Sequence, residues 1–388
     1  MPGAPRIRSE EISTCRELSS QARAFRGEKN SMGLARALLR KEIGTISRVK
    51  RRGPTRDIKR VLVLGGAGYL GSVLVRGLLR RGFSVRVLDS LLFGSRSLRE
   101  FNADPSFELI RADIRDVTAV KQSMGNCDAV VHLAAIVGDR ACEDQEASAV
   151  EVNLTATDLL AELAIECGIS RFIFASSCSV YGASDKLLNE SSELKPLSIY
   201  ARTKELSERS LLRRTSADFC PTILRLGTLF GLSPRMRFDL VVNLFVAQAA
   251  SNQPITICNR EQWRPFVHVH DAARAFTTCL QASPATIAGQ IFNVGGPSLN
   301  YQIGSLACEI ARAIPGTQMC SIENEDRRNY RVSFEKIQNM LRFHTQRTLA
   351  SGIDEIYRSL RSNASTDRES PEFSLNNLQP APLFAHDR

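Results

Sequence analysis

Three side chains near the middle of the chain could together remove a proton from an alcohol. Tyr200 and Lys204 are four residues apart, so on a helix they share one face. A phenol with a pKa of about 10 is a poor base at neutral pH, but a nearby ammonium group favours the phenolate. Ser177 precedes this helix in a serine-rich stretch and could share the proton of the alcohol. An isolated pair at this spacing also occurs on exposed helix faces; the nearby serines favour a catalytic group.

A glycine cluster earlier in the chain indicates where a cofactor would bind. The apolar run 61–64 ends at Gly65-Gly-Ala-Gly-Tyr-Leu-Gly71, and an amphipathic run follows it. This order predicts a strand, a tight turn and a helix, and the spaced glycines let the backbone approach a pyrophosphate. The first N–H groups of the helix add partial positive charge toward the phosphates. The predicted dinucleotide site therefore includes Gly65, Gly68, Tyr69, Leu70 and Gly71.

An acidic residue at the end of the second predicted strand selects between the two nicotinamide dinucleotides. Asp89 follows Gly65 by 24 residues, where a carboxylate can accept hydrogen bonds from the adenosine ribose. It would repel a 2′-phosphate, so NAD is favoured over NADP, although Arg96 in the next loop could moderate this preference. The alternative is that Asp89 only forms a turn.

These residues must be positioned by a fold in which strands alternate with helices. Strands are predicted at 61–64, 84–88, 107–111, 129–133, 171–175 and 222–226, and helices at 69–81, 150–167 and 196–215. The alternation predicts an α/β fold with a Rossmann, doubly wound parallel sheet that binds its ligands at the carboxyl ends of the strands. Beyond residue 229 shorter strands and helices predict a smaller C-terminal α/β substrate lobe.

Four regions follow from this pattern. We expect a basic, disordered extension at 1–57, an NAD-binding Rossmann domain at 58–228 to which later segments could return, a substrate lobe at 229–360 and a disordered tail at 361–388. The extension carries +8 of the chain's net charge of +10. It could instead be a partner-binding arm, a transit-like peptide or the result of a mis-assigned start, with Met32 as the true one.

Composition narrows the class of protein further. The ten cysteines and five histidines show no metal-ligand spacing, so no metal is expected, and the cysteines are typical of reduced cytosolic thiols. Outside the extension the charge is nearly balanced, which disfavours nucleic acid as a partner. No apolar run reaches the roughly 18 residues of a membrane span. We expect a cytoplasmic protein.

The motifs together resemble the extended short-chain dehydrogenase/reductase family, in its branch of NAD-dependent nucleotide-sugar epimerases and dehydratases. The resemblance covers about residues 58–360 and includes the glycine turn, Asp89, Asp113-Ile114, His132-Leu-Ala-Ala135, Asn153, Ser176-Ser-Cys-Ser-Val-Tyr-Gly182, Tyr200 with Lys204, and Arg264-Pro-Phe-Val-His-Val269. It implies bound NAD, a nucleotide-sugar substrate and a homodimer.

The resemblance also implies roles for individual residues. Ser177 matches the catalytic serine or threonine, Tyr200 the base, and Lys204 the lysine that binds the nicotinamide ribose. Further cofactor contacts are implied at Asp113, Ile114, Leu133, Ala134, Ala135 and Asn153. Arg264 matches an arginine that contacts the substrate diphosphate, and Arg328, beside Arg327, resembles a second basic residue in placement. The alternative for Arg327 and Arg328 is a solvated pair on the surface.

At some positions the chain departs from the family pattern, and these departures disfavour some of the family's reactions. The 4,6-dehydratases carry an Asp-Glu pair directly after the catalytic hydroxyl residue, where this chain has Cys178 and Ser179, so dehydration is disfavoured. Many 4-epimerases have an asparagine where this chain has Thr228. Substrate contacts are therefore expected at Cys178, Ser179, Thr228, Arg237, Asp239 and Asn243, although the last three could simply cap a helix start.

The leading hypothesis is an NAD-dependent epimerase acting at C4 of a nucleotide sugar. The first alternative is a nucleotide-sugar ketoreductase or dehydrogenase that uses the same three residues. The second alternative is a sugar dehydratase or a non-catalytic NAD-binding scaffold. The intact Ser177, Tyr200 and Lys204 argue against the scaffold.

Overall fold

The computed structural model describes residues 57–322 and 326–362. Its strands are β1 (Arg60–Leu64), β2 (Ser84–Asp89), β3 (Phe107–Arg111), β4 (Ala129–His132), β5 (Arg171–Ser177), β6 (Ala183–Leu188), β7 (Cys220–Leu226), β8 (Thr228–Phe230), β9 (Ile255–Cys258), β10 (Trp263–His268), β11 (Gln290–Val294), β12 (Asn300–Gln302), β13 (Met319–Ile322) and β14 (Asn329–Val332).

Helices lie between most of these strands. They are α1 (Tyr69–Leu79), α2 (Val117–Met124), α3 (Asp139–Asp144), α4 (Glu146–Val150), α5 (Ala156–Glu166), α6 (Ile199–Leu212), α7 (Val241–Ala250), α8 (Val269–Gln281), α9 (Pro284–Ile287), α10 (Ile303–Ala313), α11 (Glu335–Leu341) and α12 (Leu349–Ser362). Short 3₁₀ turns occupy Arg96–Phe101, Cys178–Tyr181 and Pro297–Leu299, and one π-helical turn occupies Glu151–Thr155.

Seven parallel strands form the central sheet, in the order β11-β7-β5-β4-β1-β2-β3. The order runs outward in both directions from β1 and β4, which is the doubly wound arrangement. The predicted fold class is therefore confirmed. Strand β1 is buried on both faces because helices cover the sheet on each side, which explains its unbroken apolar run.

Two predicted helices differ from those observed. The helix predicted at 196–215 begins only at Ile199, because the Ser198 hydroxyl caps it by accepting a hydrogen bond from the Ala201 N–H. The helix predicted at 150–167 is divided into α4, the π-helical turn and α5. The π-helical turn carries Asn153, so the irregularity lies at a predicted cofactor residue.

The C-terminal region both returns to the main sheet and builds small sheets of its own. Strand β11 pairs with β7 at the edge of the central sheet, and α8 packs against α1. Three smaller sheets pair β12-β10-β8, β13-β9 and β14-β6. The boundary near residue 228 stays a prediction.

The termini lie mostly outside the described residues. This applies to the predicted extension at 1–57, including Met32, and to the predicted tail at 361–388, apart from residues 57, 361 and 362. Among the helices that the structure describes, none has the length and apolar character needed to cross a membrane. Residues 57–322 and 326–362 also hold no cluster of three or more His, Cys, Asp or Glu side chains arranged as metal ligands.

Candidate functional site

The glycine turn between β1 and α1 is shaped so that larger residues would not fit. Gly65 has φ +82°, and a Cβ there would lie 2.7 Å from the Ala134 backbone nitrogen. A Cβ on Gly71 would collide with the Gly65 carbonyl oxygen. At Gly68, the N-cap of α1, a Cβ would meet only the Gly65 oxygen, at 3.5 Å. Packing does not require a glycine at residue 68, whereas close approach of a pyrophosphate to the helix N-terminus does.

Asp89 lies at the carboxyl end of β2 and is held against this turn. Its Oδ2 accepts a hydrogen bond from the Ala67 N–H at 2.9 Å, and its Oδ1 accepts one from the Leu91 N–H at 2.8 Å. Burial raises its pKa above the ordinary value, while the two N–H groups and the charge of Arg235 oppose that shift. The carboxylate is thereby fixed at the edge of the turn, a geometry that suits recognition of a ribose.

The remaining predicted cofactor residues follow β3 and β4. Asp113 pairs with Arg115 at 2.8 Å, a hydrogen bond that lowers the pKa of Asp113, and Ile114 is buried beside it. The N–H groups of Leu133 and Ala134 both donate to the Leu64 carbonyl oxygen, which keeps the β4 end close to the glycine turn. Ala135 continues this half-buried edge.

Asn153 is bonded to the loop that follows β4. The side chain is 1 % exposed; its Oδ1 accepts from the Ile136 N–H at 2.8 Å and its Nδ2 donates to the Ile136 carbonyl oxygen at 2.9 Å. Both ends of the amide therefore fix the loop after β4. The role of Asn153 in cofactor binding stays a prediction.

The structure brings Ser177, Tyr200 and Lys204 together. Ser177 ends β5, while Tyr200 and Lys204 lie on one face of α6, with the Lys204 Nζ 5.8 Å from the Tyr200 ring centroid. The Lys204 ammonium donates to the Ala175 carbonyl oxygen at 2.8 Å and lies 4.6 Å from the Phe174 ring. Burial lowers the pKa of Lys204 to about 8. The lysine is therefore anchored to the strand that carries Ser177.

Tyr200 is half-buried, and its surroundings shift the pKa of its phenol in opposite directions. Burial raises its pKa; the charge of Arg237 and a hydrogen bond with Ser177 lower it, and the charge of Asp139 raises it. The sequence predicts that the Lys204 ammonium lowers this pKa, and the structure adds the charge of Arg237, which the sequence did not reveal. A positive charge on a bound substrate or cofactor would lower the pKa of Tyr200 further.

A buried network behind these residues was missed from the sequence. Glu208 and Arg225, each 2 % exposed, form an ion pair at 2.7 Å, and the Ser176 hydroxyl donates to Glu208. Glu208 also counters the burial effect on the pKa of Lys204. The signal was present, because Tyr200, Lys204 and Glu208 repeat at intervals of four residues along α6.

Two predicted diphosphate contacts lie together around one carboxylate. Arg264 on β10 is buried and donates to the Asp326 Oδ2 at 3.0 Å, and Arg328 donates to both oxygens of Asp326, at 2.9 and 2.7 Å. Burial tends to raise the pKa of Asp326, but the two arginines outweigh it and hold the pKa at about 2. Arg328 also pairs with Asp139. Both acids were missed, since the sequence does not show which residues face the arginines.

The segment after β8 holds the other predicted substrate residues. Thr228 is half-buried at the start of β8, and Arg237 pairs with Asp239 at 2.5 Å. Asn243 is fully buried, and its amide bonds only to protein groups. The role of Asn243 as a substrate contact stays a prediction.

The two residues after Ser177 differ in their surroundings. Cys178 is 1 % exposed, its thiol donates to the Arg225 carbonyl oxygen at 3.3 Å, and burial raises its pKa. The buried Ser179 Oγ has no hydrogen-bond partner among residues 57–322 and 326–362. A ligand hydroxyl or carbonyl could satisfy it, whereas Cys178 is enclosed by protein.

Known proteins are similar to this chain in sequence. The family model described as "NAD dependent epimerase/dehydratase family" matches residues 61–295. A dTDP-glucose 4,6-dehydratase from Actinoplanes sp. is 28% identical over 323 residues, covering 79% of this chain and 99% of that protein. A putative UDP-glucose 4-epimerase from Methanocaldococcus jannaschii is 30% identical over 221 residues, covering 55% of this chain and 71% of that protein.

Two solved structures are also similar to this chain. DesIV, a dTDP-glucose 4,6-dehydratase from Streptomyces venezuelae with NAD and TYD bound, has a TM-score of 0.72 and 26% identity, covering 78% of this chain and 97% of that one. MoeE5 in complex with UDP-glucuronic acid and NAD has a TM-score of 0.69 and 28% identity, covering 78% and 99% of the two chains.

Proposed function

Because the chain belongs to the NAD-dependent epimerase/dehydratase family, we propose that it is a nucleotide-sugar epimerase that acts at C4. The observation that supports this most is an intact proton-transfer group, Ser177, Tyr200 and Lys204, without an acid–base pair beside it. Dehydration needs one group to remove the C5 proton and another to protonate the departing hydroxyl. The enclosed thiol of Cys178 and the hydroxyl of Ser179 are poorly suited to these tasks.

The residues around the glycine turn fit NAD. Gly65 and Gly71 allow the tight turn, Gly68 leaves room for a pyrophosphate at the N-terminus of α1, and Asp89 is placed to recognise a ribose. When bound, NAD supplies a hydride acceptor and donor.

This chain's own residues move the proton. Tyr200 takes the proton of the sugar hydroxyl, and Ser177 shares that proton through its hydrogen bond to the phenol. Lys204 is held by the Ala175 carbonyl oxygen at the end of β5, so its ammonium stays beside the phenol while charge develops. The same groups return the proton to the opposite epimer.

Arg264 and Arg328 would bind the diphosphate of the substrate. Arg264 is buried and Arg328 is half-buried, and a guanidinium group matches a diphosphate by donating two parallel hydrogen bonds. Both arginines donate to Asp326, so the two guanidinium groups converge on one acceptor, whose place a phosphate group would take.

A panel of nucleotide sugars tests this proposal. Purified enzyme would be incubated with UDP-glucose, dTDP-glucose and UDP-glucuronic acid, and the products separated and identified by NMR. We expect one substrate to equilibrate with its C4 epimer without net NADH release. A 4-keto-6-deoxy product would support a dehydratase, and stoichiometric NADH a net oxidoreductase; either result contradicts the proposal. Sedimentation of the same sample would test the predicted homodimer.

A further inference from the structure

The carboxylate of Asp139, at the start of α3, contacts two parts of the site that belong to different elements. Its Oδ1 accepts a hydrogen bond from the Ser198 hydroxyl at 2.5 Å, and its Oδ2 forms an ion pair with the Arg328 guanidinium group. These two partners are 59 and 189 positions away along the chain. One side chain therefore joins the residue that caps the catalytic helix to a predicted diphosphate contact.

Ser198 connects this carboxylate to the first turn of α6. Its hydroxyl donates to Asp139 and accepts a hydrogen bond from the Ala201 N–H at 3.2 Å. Its carbonyl oxygen accepts a second one from the Arg202 N–H at 2.9 Å. Tyr200 lies between the capping residue and these two N–H groups, as the second residue of the helix. The backbone of Tyr200 is therefore held by a cap that is itself bonded to another element.

Arg328 offers different edges of its guanidinium group to its two acidic partners. Its Nε and one terminal nitrogen donate to Asp326, at 2.9 and 2.7 Å, whereas the other terminal nitrogen donates to Asp139. A diphosphate that took the place of Asp326 would use the first edge, since that edge supplies two parallel hydrogen bonds. The ion pair with Asp139 would stay intact.

Arg264 provides an internal comparison. It donates to the Asp326 Oδ2 at 3.0 Å, and its other hydrogen bonds go to the Gln262 side chain and to two backbone carbonyl oxygens. Within residues 57–322 and 326–362, it forms no hydrogen bond or ion pair with Asp139. The two arginines therefore share one acceptor, but of the two only Arg328 is joined to Asp139 in this part of the chain.

We propose that Asp139 is a positioning residue that couples a bound diphosphate, through Arg328, to the start of the helix that carries Tyr200. The inference rests on the proposed function, in which Arg328 binds the substrate diphosphate and Tyr200 takes the sugar proton. Because the diphosphate and the sugar belong to one molecule, fixing Arg328 relative to Tyr200 fixes where the reacting hydroxyl group meets the phenol. A displacement of about 1 Å between such groups can lower a rate about a hundredfold.

The first experiment uses uridine diphosphate and needs no turnover. We expect saturating uridine diphosphate to slow hydrogen exchange at residues 199–205 by about two- to threefold, because the filled site steadies the hydrogen bond between Asp139 and Ser198. At saturation, Arg328→Gln should abolish this protection and Arg264→Gln should keep it. The inference is overturned if uridine diphosphate binds the wild type without slowing this exchange, or if both arginine variants lose the protection equally.

The second experiment measures the first hydride transfer, as the NADH absorbance that appears when NAD-bound enzyme is mixed rapidly with excess nucleotide sugar. Ser198→Ala should lower this rate by about ten- to a hundredfold and weaken binding of uridine diphosphate by at most about threefold. The effects of Ser198→Ala and Arg328→Gln should not multiply in the double variant, whereas those of Ser198→Ala and Arg264→Gln should. Ser283→Ala removes the serine cap of the exposed α9 and, as the matched control, should keep the wild-type rate.

The outcomes separate this inference from the proposed function. A wild-type rate in Ser198→Ala, or effects that multiply in both double variants, would overturn the inference even if a C4 epimer forms. A substrate panel without a C4 epimer, together with the expected coupling, would overturn only the proposed function, because hydride transfer precedes the step at which the alternative reactions diverge. Failure of the wild type to bind uridine diphosphate would overturn both.

Discussion

The cofactor half and the substrate half of the pocket are built in different ways. Around the glycine turn the shape is set by backbone atoms, with Gly65 and Gly71 packed where no Cβ fits and Asp89 held by two N–H groups. On the substrate side, the shape is set by long charged side chains, such as Arg264 and Arg328 around Asp326. We therefore expect the glycine turn and Asp89 to keep a single arrangement. On the substrate side, Arg264 and Arg328 can exchange Asp326 for a ligand.

The largest expected effect comes from the phenol that joins the two halves. Tyr200→Phe should lower kcat by about 10²–10⁴-fold, because no other group is placed to accept the proton. NAD content, measured after denaturation, should stay unchanged, since the glycine turn is intact. Tyr357→Phe in α12 is the control and should keep full activity. If Tyr200→Phe kept its activity, the Tyr200 phenol would not be the proton acceptor.

The next effect tests the backbone half directly. Gly71→Ala should destabilise the fold by about 1–3 kcal/mol and weaken NAD binding, because the new Cβ meets the Gly65 oxygen. Gly77→Ala in the same helix meets only the far end of the Arg81 side chain, at 3.6 Å, and should stabilise by about 0.5–1 kcal/mol. Thermal unfolding and NAD titration measure both. Equal behaviour of the two variants would show that the turn is not as tightly constrained as described.

The sequence predicted the first half well and the second half only in part. Gly65, Gly71 and Asp89 act through local backbone geometry, which a motif of fixed spacing reports. The position of Asp326 between two arginines depends on contacts between residues more than sixty positions apart. The burial of Asn243 likewise follows from how the segment 231–243, between β8 and α7, packs on Tyr69, and no local pattern encodes that.

The buried lysine predicts a dependence of stability on pH. Because burial lowers the folded pKa of Lys204 to about 8, below its ordinary value, its charge destabilises the fold at neutral pH. That cost shrinks as the pH rises from about 8 toward about 10, where the folded protein has already lost the proton and the unfolded chain has not. The free energy of unfolding of Lys204→Met, taken relative to that of the wild type, should therefore be about 2–3 kcal/mol higher at pH 7 than at pH 10. A difference that does not change with pH would contradict this assignment.

The smallest expected effect tests the side-chain half. Asp326→Asn should tighten binding of uridine diphosphate by about three- to tenfold, because a neutral amide competes less for the guanidinium groups of Arg264 and Arg328. Calorimetric titration measures it, and Asp354→Asn, on an exposed pair with Arg358, is the control. Weaker binding would mean that Asp326 positions the arginines rather than competing for them.

The most direct test of epimerisation follows a label through the reaction. A nucleotide sugar carrying deuterium at C4 would be equilibrated with the enzyme in ordinary water, and both epimers analysed by mass spectrometry and NMR. The proposed function predicts that deuterium stays at C4 in both epimers, since the hydride leaves and returns within one active site that contains Tyr200 and Lys204. Deuterium lost to free cofactor, or found at C6 of a deoxy product, would contradict it.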